Sequence, residues 1–400
     1  MQVDRHQNSS KKVNRKKKKS RAAKVFLGIL IVLLILAVGV GAVAIKGYRY
    51  FDKKVSTMDR VSTKIEDFSI DSSVANDLER YRNIALLGVD ARMDEDKKFT
   101  RTDAIIVVTV DTKTGDIKLT SVMRDSYLQI QDANNQEVLD KITHANVFGG
   151  PVNTCRALNK SLDLNISEFV VLDWKTVADT VDALGGITMD VQENEIHDLN
   201  HWGPETAENT GRDSYTPIEK AGKQKIDGVQ AATYCRIRKN SGGDPGRTQR
   251  MRKVVVATVD KITKNPKLIM NLANDVFPSV TTNIDTKQLI SLLPVALDFE
   301  MKDNYVYPFD YAGVKLGEIS RWYAVPSTLE ENCILLHEIL FDQKEYEPTK
   351  QCRDLSKITE DETQIHLGTE MNPTGDKERD KQIYSAIFES GVLDQPAEEQ

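Results

Sequence analysis

Residues 25–45, VFLGILIVLLILAVGVGAVAI, run for 21 residues without a charged side chain. A helix needs about 20 predominantly apolar residues to cross the hydrocarbon core of a bilayer, so this run predicts one transmembrane helix and forces the rest of the chain to one side or the other. No other stretch of the sequence is as long and as apolar. Ten basic residues precede it (Arg5, Lys11, Lys12, Arg15, Lys16, Lys17, Lys18, Lys19, Arg21 and Lys24) against the single acid Asp4, a local charge of +9. The positive-inside bias keeps residues 1–24 in the cytoplasm and sends everything beyond residue 45 to the outer face of the membrane. The sequence Ala42-Val43-Ala44 has the small residues of a signal-peptidase site. The apolar core nevertheless exceeds the roughly 7–15 residues of a signal peptide, so the segment reads as an uncleaved anchor. Beside a span, the basic tail sets topology and meets anionic headgroups.

Taking +9 from the whole-chain charge of −6 leaves −15 for the remainder, so the external part is acidic. That balance argues against nucleic acid as a partner. Cys155, Cys235, Cys333 and Cys352 all follow the span, on the side where disulfides are chemically permitted. Four cysteines allow three pairings, and four free buried thiols are an equal alternative; the sequence does not choose.

Residues 46–80 are polar, with scattered apolar positions, and read as a partly helical extracellular stalk. The pattern changes at Asn83. Asn83–Gly88 and Asp103–Asp111 are short β-type runs, the second leading through Thr112-Lys113-Thr114-Gly115 into a third at Ile117–Val122. Helical periodicity follows at Pro151–Leu162 and at Trp174–Leu184, the latter stopped by Gly185-Gly186. Residues 193–223 carry few apolar anchors and read as a surface excursion, Ala231–Ile237 as a strand, and 247–273 as helical; strands and helices recur through 285–345, as in Tyr305-Val306-Tyr307-Pro308 and Leu329–Leu340. The interleaving predicts one mixed α/β domain over residues 81–347. Residues 348–400 read as an acidic tail, with twelve acids against five bases from Arg353 onward.

Chemistry concentrates in two places. In Tyr234-Cys235-Arg236-Ile237-Arg238-Lys239 a strand would put Arg236 and Arg238 on one face, and two cations on one face repel unless an anion joins them. The Asp244-Pro245-Gly246 segment then opens a helix carrying Arg247, where backbone N–H donors and partial positive charge suit phosphate. Earlier, Asp90 ends one strand, Arg101 and Asp103 open the next, and Arg124 follows the third. Mg²⁺ is commonly held by one or two carboxylates together with substrate phosphates. Asp90 and Asp103 are thus candidate metal ligands, and Arg101, Arg124, Arg236, Arg238 and Arg247 candidate pyrophosphate ligands. A Walker loop, a His-Glu-x-x-His zinc motif and a Gly-x-Ser-x-Gly elbow are absent from the sequence.

In order along the chain, NIALLGVDAR, TRTDAIIVVTVD, SVMRDSYL, DKITHANVFGGP, VDALGGITMDV, GVQAATYCRIRK and GDPGRTQRMRKVV resemble the motifs of the LytR-CpsA-Psr family of bacterial cell-envelope phosphotransferases. The likeness is close over residues 82–255 and looser to about 345. It implies a three-layer α/β/α domain with a mixed central sheet and an apolar cavity for a polyprenyl chain. It also implies transfer of a glycopolymer, such as a teichoic acid or a capsule polymer, from undecaprenyl pyrophosphate to a muramic-acid hydroxyl of peptidoglycan. Carried over by position, Asp90 and Asp103 hold Mg²⁺, while Arg101, Arg124, Arg236, Arg238 and Arg247 embrace the pyrophosphate; Asp90, Asp103, Arg124, Arg236 and Arg238 form the catalytic set. Two positions depart from the family pattern: Met251 stands where Gln is usual, with Gln249 and Arg250 beside it, and Met123 stands where Pro is usual. A lipid-pyrophosphate-binding regulator without turnover, or a hydrolase using water as acceptor, are the alternative readings.

Overall fold

A computed structural model describes residues 50, 52–91, 99–238, 243–265, 268–291, 300–316 and 321–365. The apolar run at 25–45 lies outside them, and among the described residues no helix is long and apolar enough to cross a membrane. In chain order the elements are β1 (Asp59–Arg60), α1 (Ser72–Asp77), β2 (Tyr81–Val89), β3 (Thr102–Asp111), β4 (Asp116–Val122), β5 (Tyr127–Gln131), β6 (Glu137–Lys141), α2 (Ile142–Leu162), β7 (Glu168–Asp173), α3 (Trp174–Ala183), β8 (Ile187–Val191), α4 (Glu193–Asn209), β9 (Gly222–Ile226) and α5 (Gly228–Arg236). They continue with α6 (Gly243–Lys264), α7 (Ile269–Asp275), β10 (Thr281–Thr282), α8 (Thr286–Ser291), β11 (Glu300–Tyr307), β12 (Tyr311–Leu316), β13 (Arg321–Pro326), α9 (Leu329–Phe341) and α10 (Lys350–Thr363).

The β-branched runs do what their alternation predicts. In β3, Ile105 and Val107 face one core while Ile106, Val108 and Val110 face another; in β2, Ala85 and Leu87 oppose Ile84 in the same way. A sheet apolar on both faces must be covered on both. One face carries α2, α9 and α10 through Leu158, Leu336, Leu340 and Leu355. The other carries α6, α7 and α8 through Ile262, Leu272 and Leu289. The sheet has seven strands in the order β1-β10-β7-β2-β3-β4-β11 and is mixed: β2 runs parallel to β7 but antiparallel to β3. The α/β/α layering and the mixed sheet are as expected.

Four local expectations need correction. Ala231–Ile237 is not a strand; Gly228–Arg236 is a helix, opened by a capping box in which the Asp227 carboxylate accepts from Gln230 N–H and the Gln230 side chain accepts from Asp227 N–H. Residues 193–209 are the helix α4 rather than an irregular excursion, with Leu199 and Ala207 buried beneath it. The stretch read as a stalk folds onto the domain: β1 pairs with β10, and Val55, Met58, Phe68, Val74 and Leu78 are buried. Within the supposed tail, residues 350–363 form α10, which buries Cys352 and Leu355. The helix expected at Pro151–Leu162 is the second half of α2, which breaks at Gly149 and Gly150 (φ +68°) and restarts at Pro151.

Candidate functional site

The site forms at one end of the sheet, where β2 finishes, β3 begins and β4 leads into Arg124. Gly88 pairs with Ala104 and Val89 with Thr102, so Asp103 is the residue that the register skips. Such a β-bulge re-aims a side chain and bends its strand. Gly88 has to be small here, since a Cβ on it would meet the Ala104 Cβ at 2.9 Å.

Three guanidinium groups converge on the re-aimed carboxylate. Arg124 Nη1 donates to Asp103 Oδ1 at 2.7 Å, while Arg238 Nη2 and Arg247 Nη1 donate to Oδ2 at 3.2 and 3.0 Å. The Asp103 side chain is 8% exposed and that of Arg247 is 3%, so the pairs are poorly screened. Arg124 is shared with Asp125, its Nε 3.4 Å from Oδ2, and Arg238, 40% exposed, opens the cluster to solvent. An incoming polyanion could take up the planar donor forks that converge here.

The remaining candidates sit around this centre. Asp90, exposed at the end of β2, accepts from Trp174 Nε1 at 2.6 Å through one carboxylate oxygen. Its backbone N–H donates to the carbonyl of Arg101, itself exposed. Arg236 does not reach Asp103: it donates to Thr206 Oγ1 at 2.7 Å and Glu205 Oε1 at 3.0 Å, both on α4. The single-face strand geometry predicted for Arg236 and Arg238 is replaced by a helix end, with Arg236 in the last turn of α5 and Arg238 just beyond it. For a divalent cation, the donor set is chemically apt. Asp90 and Asp103 lie on adjoining strand ends, the second oxygen of Asp90 takes no hydrogen bond among the described residues, and carboxylate oxygens each offer two lone pairs.

Gly88, Ala104, Trp174, Cys235 and Met251 line a narrow apolar cavity between the sheet, α3 and α6, with Ala104 next in sequence to Asp103. Met251 is 7% exposed and one turn beyond Arg247, so it extends the apolar wall rather than offering a polar contact to phosphate. Its neighbour Arg250 is structural. Arg250 donates to the Tyr234 carbonyl at 3.2 Å and to the Ile237 carbonyl, closing the end of α5, and burial lowers its pKa. Gln249 is exposed. Burial also pushes the Cys235 thiol up to about 12, so it lines the cavity as an apolar group.

Sequence reasoning missed Trp174, Glu205 and Thr206, which orient Asp90 and Arg236 from elements distant in the chain. It also assigned nothing to Asp140 and His144, whose Oδ2 and Nδ1 lie 2.7 Å apart. Burial pushes Asp140 up, but hydrogen bonds from His144 and the Lys141 N–H outweigh it and hold the carboxyl below its usual range. The pair is tied to the site through Thr143, whose N–H donates to the Arg124 carbonyl and whose hydroxyl donates to that of Thr102. A DKITH string carries i,i+4 spacing for such a pair, the one signal available beforehand.

The profile described as the LytR_cpsA_psr family matches residues 45–319. A polyisoprenyl-teichoic acid–peptidoglycan teichoic acid transferase TagU from Bacillus subtilis (strain 168) is 31% identical over 329 residues, covering 79% of this chain and 95% of that protein. The TagU of Enterococcus faecalis (strain ATCC 700802 / V583) is 29% identical over 287 residues, covering 70% of this chain and 84% of that protein. Among solved structures, protein gbs0355 from Streptococcus agalactiae superimposes with a TM-score of 0.56 at 23% identity over 70% of this chain and 93% of its own. B. subtilis TagV does so with a TM-score of 0.52 at 24% identity, over 67% and 99%. At these identities the two structures speak to the fold alone.

Proposed function

The chain belongs to the LytR_cpsA_psr family, and on that footing we propose that it is a membrane-anchored phosphotransferase that moves a teichoic-acid-type glycopolymer from undecaprenyl pyrophosphate to peptidoglycan. One observation carries the reading: three guanidiniums gather on the Asp103 carboxylate, whose chain neighbour Ala104 lines an apolar cavity. That pairing suits a ligand with a pyrophosphate head and a hydrocarbon tail.

The reaction follows from the charges. A glycan hydroxyl oxygen attacks the sugar-side phosphorus, the bridging P–O bond breaks, and polyprenyl phosphate departs with the bond's electron pair. Arg124, Arg238 and Arg247 turn from Asp103 toward the phosphates and stabilise the charge that develops on their oxygens, where one well-placed Arg is worth on the order of 10³–10⁵ in rate. Arg236, held by Thr206 and Glu205, flanks them. Mg²⁺, bound by Asp90 and Asp103, would supply further neutralisation of the pyrophosphate. Both Asp103 oxygens are held by guanidiniums, whereas Asp90, exposed and donated to by Trp174 through one oxygen, offers the second to the attacking hydroxyl.

The cavity as it stands is ≈ 70 Å³, under half of the roughly 150 Å³ that admits one benzene. A prenyl chain therefore needs the cavity to widen, and Met251 gives way readily because its unbranched side chain is adaptable.

The deciding assay mixes purified full-length chain with polyprenyl-pyrophosphate-linked glycopolymer, Mg²⁺ and uncrosslinked glycan strands. Sugar phosphate should appear on the strand, and should be lost in Arg124→Ala and Arg247→Ala and on chelation. Free polymer phosphate as sole product would make the protein a hydrolase, and tight lipid binding without product would make it a binding protein.

A further inference from the structure

All four thiols are buried and unbonded, but they differ in company. Cys155 packs within α2 and Cys235 lines the apolar cavity. Cys333 on α9 and Cys352 on α10 face each other across a helix interface: their Sγ atoms and a carboxylate oxygen of Asp163 all lie within 4.8 Å of one another. Both residues are fully buried.

Two chemistries use such a trio, a metal site or a disulfide. The metal reading fails on Asp163. Its Oδ2 accepts from Thr349 N–H at 2.7 Å and from the Tyr346 hydroxyl at 3.0 Å, and its Oδ1 accepts from the Thr349 hydroxyl at 2.7 Å. That carboxylate is committed to fixing the start of α10, whose N-cap is Thr349. His337 is also engaged, its nitrogens lying 2.8 Å from Gln343 Oε1 and 3.0 Å from the Leu162 carbonyl. What remains is a pair of thiols. Cys352 donates weakly to the Ser161 carbonyl at 3.3 Å and Cys333 toward Asp163 at 3.9 Å, contacts that a small side-chain rotation exchanges for one another.

We propose that Cys333 and Cys352 close to an intramolecular disulfide that cross-links α9 to α10. In the cell this rests on the outward orientation proposed above, since disulfides persist outside reducing compartments. The oxidant is a small or protein-borne disulfide. One cysteine thiolate attacks it, its S–S bond breaks, and one thiol leaves. The second cysteine then displaces the other half from the mixed disulfide. Two electrons pass from the cysteine sulfurs to the oxidant, and the two thiol protons end on its two released thiols. Burial, with Cys352 and Asp163 alongside, raises the Cys333 thiol well above its ordinary pKa. The bond consequently forms fastest as α10 docks and exchanges slowly afterwards. It makes the polar helix α10 a fixed part of the domain.

The test uses the full chain in detergent, equilibrated with oxidised and reduced glutathione, acid-quenched, alkylated with N-ethylmaleimide in denaturant and mapped by mass spectrometry. Expected are one linked peptide pair containing Cys333 and Cys352, adducts on Cys155 and Cys235, and a melting temperature about 5–10 °C above that of the dithiothreitol-treated chain. The difference should vanish in Cys352→Ala and, independently, in Cys333→Ala. Four adducts from folded, oxidised protein, or linkage through Cys155, would overturn the cross-link. So would one zinc per chain shielding the two thiols until chelation. The same mapping on cells quenched before lysis, with protease added outside, separates the two readings. A domain cleaved from outside with both thiols free refutes the cross-link; a domain shielded from protease, whose bond closes on the purified chain, refutes only the orientation.

Discussion

Asp103 owes its role to a missing pairing. Because β3 slips one residue against β2 at Gly88 and Val89, a carboxylate that regular alternation would send into a core instead meets Arg124, Arg238 and Arg247. Asp103→Asn removes the charge that Arg124, Arg238 and Arg247 share, and removing one partner from a buried ion pair costs about 3–5 kcal/mol. The variant should melt well below the parent and regain more stability from millimolar pyrophosphate than the parent does, since a ligand that binds the native state stabilises it. Equal melting with and without pyrophosphate would mean that the carboxylate does not hold the cluster. His337 shifts stability with pH in the same direction as a paired carboxylate, but through burial rather than pairing. Burial lowers its pKa, so the folded chain keeps it neutral while the unfolded chain protonates near pH 6.5. Its contribution is complete above about pH 6.5 and is lost as the pH falls from there towards the depressed folded value. Melting temperatures followed from pH 7.5 to 5 should fall, and less steeply in His337→Gln. Residue types at this scale were legible: the aspartates and arginines at strand ends are visible in the sequence. Their partners were not, because Trp174 meets Asp90, and Thr206 meets Arg236, only after folding brings elements together.

At the scale of elements, the sequence misleads where β-type residues sit in a capped helix. Thr233, Tyr234 and Ile237 favour a strand by propensity, yet Asp227 and Gln230 close a capping box and Ala231-Ala232 prolong the helix. Tertiary packing then decides the matter. A Cβ at Gly228 would stand 2.2 Å from the Ala178 carbonyl, so α5 seats on α3 only with glycine there. Gly228→Ala cannot be relieved by a side-chain rotation, and overpacking of this kind costs about 1–3 kcal/mol. Thermal melting should show that loss, and transfer activity should fall with it, since α5 delivers Arg236 and Arg238. Unchanged melting would mean that the α3–α5 contact is loose. The central strands were legible because two-sided burial writes an unbroken apolar run. Helix α4 and helix α10 were not, because each buries a thin stripe beneath a largely polar surface.

At the scale of the whole molecule, strand directions relate the site to the apolar run at 25–45. β1 is parallel to β10, β10 antiparallel to β7, and β7 parallel to β2. The chain therefore enters β1 from the end of the sheet where β2 finishes at Asp90. Three strand spacings separate β1 from β2, about 14 Å. Seven residues separate position 45 from position 52, at most about 25 Å of extended chain. An anchored chain would thus carry its arginine cluster and apolar cavity close to the bilayer surface, within reach of a pyrophosphate whose lipid tail stays in the membrane. A flexible Gly/Ser insertion of about 20 residues ahead of position 52, adding roughly 25 Å of root-mean-square reach, should slow transfer from long-chain lipid in vesicles and leave transfer from a short-chain, detergent-soluble analogue unchanged. Loss with both substrates would implicate the fold instead, because Val55 and Met58 pack in the core just beyond the insertion. Loss with neither would mean that the anchor localises the enzyme without setting the height of its site.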